Sequence, residues 1–317
     1  MKFAIHEQLK TDNQQPCMIK LAFSDKYIYE LPEGHRFPIA KYILVKEQLL
    51  YRGEIVPEQL YDPGLCPPEL ITGIHSPAYW QQLENLSLSP KEIRRIGIPL
   101  SALSLKRAQN SVAGTIASTS EAFRTGLGIN IGGGTHHAYA GHGEGFCILN
   151  DIAIAARYLL ERRKAGKILI VDLDVHQGNG TAAIFQQEER VFTFSIHGKE
   201  NYPLHKEQSD LDIALPSGTG DREYLHILGA RLPDLIQNVR PDFVFYQAGV
   251  DVLKTDKLGK LSLSKEGCLQ RDLLVINSCK TKELPLVITM GGGYSSRLAD
   301  VVDAHTHTFA AALQVYG

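Results

Sequence analysis

The stretch Lys167-Ile-Leu-Ile-Val-Asp-Leu-Asp-Val-His176, continued by Gln177-Gly-Asn-Gly-Thr181, constrains this chain more than any other. Its apolar, β-branched first half predicts a buried strand of a parallel sheet. Side chains alternate along a strand. Ile170, Asp172, Asp174 and His176 are therefore expected on one side, and Val171, Leu173 and Val175 on the other. Three ionisable groups then stand at the carboxyl end of a dry strand, where open α/β sheets bind their ligands. Burying carboxylates without partners costs several kcal/mol. A divalent cation satisfies two Asp and one His together. A buried Asp–His hydrogen-bond network without metal is the plainer alternative, and a D-x-H pattern by itself favours it.

The rest of the chain supplies context. Its 317 residues are enough for one large α/β domain, and residues 1–317 are read as a single domain. Apolar residues make up 44% and charged residues 21%, as in soluble globular proteins. A formal net charge of -2 gives no footprint for nucleic acid. The five cysteines, Cys17, Cys66, Cys147, Cys268 and Cys279, are scattered, odd in number and without C-x-x-C spacing. Reduced thiols in a cytoplasmic compartment are expected, and a thiolate zinc site is not. Met1-Lys-Phe-Ala-Ile-His-Glu has no apolar signal core, and no apolar run is long enough to span a bilayer.

A coarse pass predicts short strands at Lys20–Phe23 and Leu70–His75, a loop at Leu31–Pro38 and a helix over Ile39–Tyr51. Ser76 is expected to cap a helix with Pro77 in its first position. Residues 86–100 read as an irregular surface loop, and Leu103–Gly126 as one helix. Gly128–Ile131 reads as a strand running into glycines. Asn150 or Asp151 caps a helix expected to end near Gly166. Further strands are expected at Val191–Ile196, Phe243–Gln247 and Leu286–Met290, with helices around Glu223–Val239 and Ser264–Thr281. This alternation implies a parallel sheet covered on both faces.

Each major strand from Ile131 onward ends in an unusual loop. Gly132-Gly-Gly-Thr-His-His137 brings two imidazoles, which can divide base and acid roles, or can be loop histidines without a role. Tyr246-Gln-Ala-Gly-Val-Asp251 ends in an acid that can be a third metal ligand or a helix N-cap. Three protein ligands with a position left open is the catalytic zinc arrangement. Met290-Gly-Gly-Gly-Tyr294 can present a hydroxyl to an oxyanion, although alone it reads as a packing aromatic. Together the four loops compose a metal-assisted hydrolase. A dinucleotide site is a poor reading, because no G-x-G-x-x-G opens a helix with an acid ~20 residues on.

The segments GGGTHHAYAGHGEGFCILND, ILIVDLDVHQGNGT, YQAGVD and MGGGY resemble the zinc-dependent histone deacetylase family, which includes bacterial acetylpolyamine amidohydrolases and acetoin-utilisation proteins. Gln177, Asn179 and the GHRFP segment around Arg36 look most like the class IV branch and its bacterial relatives. The resemblance implies the single-domain, three-layer arginase/deacetylase fold, an eight-stranded parallel sheet flanked by helices. It implies removal of an acetyl or longer acyl group from lysine side chains or a related amine. By resemblance, Asp174, His176 and Asp251 hold Zn2+, with Fe2+ or Co2+ as alternatives. His136 and His137 are the catalytic pair, Asp172 orients His136, and Tyr294 polarises the substrate carbonyl. Asp172, Asp174, His176, Ser195 and Ile196 match a structural K+ or Na+ site. Gly145, Phe146 and Gly292 match the acyl channel, and Arg36 an internal acetate-release channel. Asn179 stands where class I and II members carry a second Asp, and no acid matches their peptide-gripping rim residue. The expected partner is an acyl-lysine peptide or a small acylated amine, with no nucleic acid or membrane. Rival readings are an acetylpolyamine-type amidohydrolase, a binuclear manganese ureohydrolase and a catalytically silent acyl-lysine-binding module.

Overall fold

The computed structural model describes residues 18–317. The N-terminal segment read for a signal core, and Cys17, lie outside the described residues. The strands are β1 (Leu21–Ala22), β2 (Leu60–Tyr61), β3 (Leu127–Asn130), β4 (Ile168–Asp172), β5 (Val191–Gly198), β6 (Leu211–Leu215), β7 (Phe243–Gln247) and β8 (Leu286–Thr289). The helices are α1 (Lys41–Tyr51), α2 (Pro68–Ile71), α3 (Pro77–Glu84), α4 (Pro90–Ile96), α5 (Ala102–Thr125), α6 (Asp151–Glu161), α7 (Asn179–Phe185), α8 (Asp221–Val239), α9 (Lys265–Thr281) and α10 (Leu298–Tyr316). The strands form one sheet in the order β2-β1-β3-β8-β7-β4-β5-β6, and every pairing is parallel. β8 enters last in sequence yet lies between β3 and β7.

The β4 alternation sorts the core into two layers. Ile168 and Ile170 join Ala153, Leu159 and Phe185 of α6 and α7 in one apolar cluster. Leu169 and Val171 join Leu232, Val275 and Phe309 of α8, α9 and α10 in the other. Helices therefore cover both faces, and the expected three-layer fold with eight parallel strands is present. No helix among the described residues is long and apolar enough to cross a membrane. The four cysteines of the described residues are free and buried.

The structure corrects several local expectations. Leu70–His75 is not a strand, because α2 takes its first residues and a turn follows. Residues 86–100 are not irregular: Ser89 and Glu92 close a reciprocal capping box over α4, a device worth about 1 kcal/mol. Asn150, not Asp151, caps α6, accepting from Ala153 N at 3.0 Å. α6 ends at Glu161, well before Gly166, with Arg163 taking the left-handed turn at φ 53°. β2, β6, α7 and α10 are elements the pattern did not announce. Ser76 caps α3 as expected, and Ser264, at the start of the expected helix, caps α9.

Candidate active site

β4 stops at Asp172, so Asp174 and His176 stand in the bend after the strand rather than on it. The shared side survives that break. Asp174 N donates to Asp172 Oδ1 at 3.1 Å, and His176 N donates to Asp174 Oδ1 at 3.0 Å. β3, β8, β7 and β4 are adjacent in the sheet, and the loops at their carboxyl ends meet. They bring His136, His137, Asp172, Asp174, His176, Asp251 and Tyr294 together.

Asp174, His176 and Asp251 offer one ligand atom each within 4.8 Å of one another, all buried. His176 Nδ1 lies 3.1 Å from both Asp174 Oδ1 and Asp251 Oδ2. Burial pulls this imidazole down, but the two carboxylates outweigh it and lift it to about 10. Something positive must sit between these three groups, a proton or a metal ion. The carboxylates are otherwise oriented by backbone amides: Gly292 N donates to Asp174 Oδ2 at 2.7 Å, and Val175 N to Asp251 Oδ1 at 2.9 Å. No helix follows Asp251, so its N-cap reading is wrong. A Cβ at Gly292 would collide with Asp251 Oδ2 and lie 2.8 Å from Asp174 Oδ2. The oxygen–nitrogen–oxygen donor set, buried and already bonded on its outer side, fits a divalent cation.

The two histidines differ in environment. His136 Nδ1 meets Asp172 Oδ2 at 2.6 Å. Burial lowers this imidazole, but Asp172 and Asp174 raise it to about 9. His137 Nδ1 meets Asn179 Oδ1 at 2.6 Å. Burial, then the neighbouring His136 and His176, hold His137 well below the ordinary histidine value. Asn179 Nδ2 donates to Tyr139 Oη at 3.0 Å and to Glu144 Oε1 at 2.6 Å. A carboxylate can only accept, so the amide orientation is set and Oδ1 faces His137. His137 therefore carries its proton on Nδ1. No hydrogen bond among the described residues engages its Nε2.

The pocket has a narrow inner part and an open mouth. The inner cavity, of about 30 Å³, is lined by His136, His137, Phe146, Tyr294, Phe37 and Tyr42, among others. Burial, then Asp251 and Asp174, push the Tyr294 hydroxyl well above the ordinary phenol value, so it stays a donor. Its ring lies 5.8 Å from that of Phe146. Gly145 (φ 55°) and Phe146 (φ 67°) both take left-handed backbone. A Cβ at Gly145 would stand 2.6 Å from His137 Cδ2, so only glycine fits there. A larger groove of about 390 Å³ lies along α8 and α9, lined by Pro233, Ile236 and Thr281. It sits toward the carboxyl end of α9, away from the titratable cluster.

Arg36 is not internal. It is exposed and lines the mouth. The buried cations near the inner cavity are Lys41 and Arg107, which the sequence reading passed over. Lys41 Nζ donates to Gly291 O at 2.7 Å, and Arg107 lies over the rings of Phe37 and Tyr42. Ser195 and Ile196 lie in β5, where Ser195 is in register with Asp172 of β4 and Ile196 with Ile213 of β6. Ser195 Oγ is 2.9 Å from His197 Nδ1.

Three further buried residues hold the loops. Asp151 accepts from Gly134 N, Thr135 N and Thr135 Oγ1, at 3.1, 2.8 and 2.6 Å. Arg271 Nη1 ties the loops after β4 and β7 by donating to Leu173 O at 3.1 Å and Gly249 O at 2.6 Å. Lys41 does the same for the loop after β8.

Known proteins are similar to this chain in sequence and in fold. Residues 35–309 match the family model of the histone deacetylase domain. An uncharacterized protein of Picosynechococcus sp. is 46% identical over 296 residues, covering 93% of this chain and 99% of that protein. Histone deacetylase 2 of Arabidopsis thaliana is 36% identical over 197 residues, or 61% of this chain and 51% of its own length. The acetoin utilization protein AcuC of Staphylococcus aureus (strain MSSA476) is 27% identical over 310 residues, covering 90% and 79%. The crystal structure of the HDA15 HD domain has the same fold, with a TM-score of 0.78 at 21% identity, covering 93% of this chain and 89% of that one. The family match spans every loop that converges on the pocket, from His35 into α10, and on that ground the chain belongs to the histone deacetylase family.

Proposed function

We propose that this chain is a metal-dependent deacylase that hydrolyses the amide of an acylated lysine or a related acylated amine. The observation that carries the reading is the buried Asp174–His176–Asp251 cluster, set beside two histidines in opposite electrostatic environments. A bound Zn2+, or Fe2+ or Co2+ with the same donors, supplies Lewis acidity toward the acyl oxygen and the attacking water. His137 is neutral with Nε2 unengaged, so it takes the proton of that water. His136, charged beside Asp172, stabilises negative charge as it develops. The Tyr294 hydroxyl donates to the oxyanion, and His137 returns its proton to the leaving amine. Phe146 and Gly145 flank the acyl-bearing stem and exclude water. Asp172, Ser195 and Ile196, with the loop after β4, are proposed to hold K+ or Na+.

The intact acid–base pair favours this reading over a silent binding module. Asn179, in place of an acid, disfavours a binuclear manganese site. The protein substrate, an acetylpolyamine or a longer acyl chain would meet the same chemistry. The test is turnover of an acetyl-lysine fluorogenic peptide with and without chelator, in the wild type and Asp251→Ala. Asp251→Ala should lose tightly bound metal and activity together. Full metal occupancy with undiminished turnover in that variant refutes the ligand set.

A further inference from the structure

We propose that the mouth of this pocket selects acylated amines bearing carboxylate groups just outside the acyl channel, through Arg36, Arg94 and Arg95. The inference rests on the deacylase reading and names its substrate class.

The mouth is an open cavity of about 290 Å³. Its arginine lining is Arg36, Arg94 and Arg95, and among the described residues no Asp or Glu lines it. All three side chains are exposed. The arginine ion pairs among the described residues engage Arg52, Arg124, Arg157, Arg190 and Arg271, none of these three. The nearest acid along α4, Glu92, interacts with Arg95 through space, but its carboxylate is engaged in the helix cap by Ser89 N and Ser89 Oγ. Glu144, next to the channel wall, accepts from Asn179 and Tyr202.

The backbone that carries the arginines is tied to the channel wall. Gly145 N donates to Arg95 O at 3.2 Å, and Phe146 N donates to Ile96 O at 2.7 Å. His35 Nε2 lies 2.9 Å from Gly97 O, which joins the Arg36 loop to the same end of α4. The channel wall and the three cations are therefore one construction. A cluster of like charges repels itself and adds nothing to folding. On a chain of net charge -2, it makes a local field of the opposite sign. Such a field attracts carboxylates and repels basic flanks.

The carboxylate can belong to a free acyl-amino acid or to acidic residues flanking an acyl-lysine. The experiment uses metal-loaded enzyme and three acetyl-lysine peptides that differ only in flanking Glu, Ala or Lys. Acetyl-lysine with a free or an amidated α-carboxylate forms the second arm. Both kcat/KM and, by anisotropy of labelled peptides, Kd are measured. We expect Glu flanks to win over Lys flanks by about tenfold, mostly in KM. The preference should shrink near 1 M salt, where the screening length is ~3 Å. Arg94→Glu with Arg95→Glu should invert the order. A preference confined to the peptides identifies an acidic polypeptide; one confined to free acetyl-lysine identifies a small acid. Equal kcat/KM and Kd across the peptides together with no preference between free and amidated acetyl-lysine, or an order unchanged in the variant, overturns the proposal. Tightest binding of the Glu peptide without turnover of any substrate leaves the rim selective and sinks the deacylase reading instead.

Discussion

Asn179→Leu tests whether one hydrogen bond sets the working form of His137. The substitution keeps the branching and heavy-atom count and removes both the acceptor for His137 Nδ1–H and the donors to Tyr139 and Glu144. A buried donor left without a partner costs about 1–3 kcal/mol. The imidazole escapes that cost by moving its proton to Nε2, the nitrogen proposed to act as base. Each 1.4 kcal/mol is tenfold in a population, so the competent tautomer should fall by about 5- to 150-fold. kcat/KM should fall by the same factor, with metal content and KM little changed. Turnover of an acyl-lysine peptide at equal metal occupancy measures the rate, and ring-nitrogen NMR shifts of His137 report the tautomer directly. Near-wild-type kcat/KM with the proton found on Nε2 refutes the assignment of His137 as base. Loss of metal in the variant refutes the claim that Asn179 acts only through His137.

Tyr294→Phe should keep fold and metal while the chemical step slows by ~10²-fold or more, as when other oxyanion donors are lost; wild-type turnover makes Tyr294 a packing residue. Asn179→Asp should raise the His137 pKa, and since the base must be neutral, the acid limb of kcat/KM should move to higher pH. The neighbouring Glu144 carboxylate would share a proton with the new acid, so Glu144→Gln should enlarge that movement; a limb that stays put in both variants separates His137 from rate control. His75 is held by Tyr139 O and Asn150 N, each at 2.9 Å, and burial lowers it from 6.5 to about 4. The unfolded chain then binds the proton first, so stability is full above pH ~6.5 and declines toward pH 4, by about 3 kcal/mol. Denaturant midpoints at pH 7 and 4.5 should draw together in His75→Gln, and an unchanged gap refutes the assignment.

The strand-end loops were legible because their chemistry is local. Asp172, Asp174 and His176 sit two apart in sequence, and parity along β4 put them on one side even though the strand stops at Asp172. That the loops share one edge followed from the parallel alternation, but which strands are neighbours did not, since sheet order is not written in any one segment. Lys41, Arg107 and Arg271 escaped notice because a single charge in an ordinary helix looks solvated until its neighbours are known. The Ser89–Glu92 capping box was written in the sequence but was outweighed by the polar composition of residues 86–100. Arg36 was taken for an internal residue because its motif places the loop but not the direction of the side chain.

The position of β8 bears on how the chain acquires its pocket. β2, β1 and β3 on one side, and β7, β4, β5 and β6 on the other, share no strand pairing until β8 arrives. During synthesis both half-sheets present open edges, the hallmark of aggregation-prone intermediates. In the sheet order the histidine loop after β3 and the acidic loops after β4 and β7 lie on opposite sides of β8. A ribosome-stalled chain ending before Leu286 should accordingly be protease-sensitive and bind exposed-edge chaperones, whereas release of β8 and α10 would zip the halves and create the pocket in one late event.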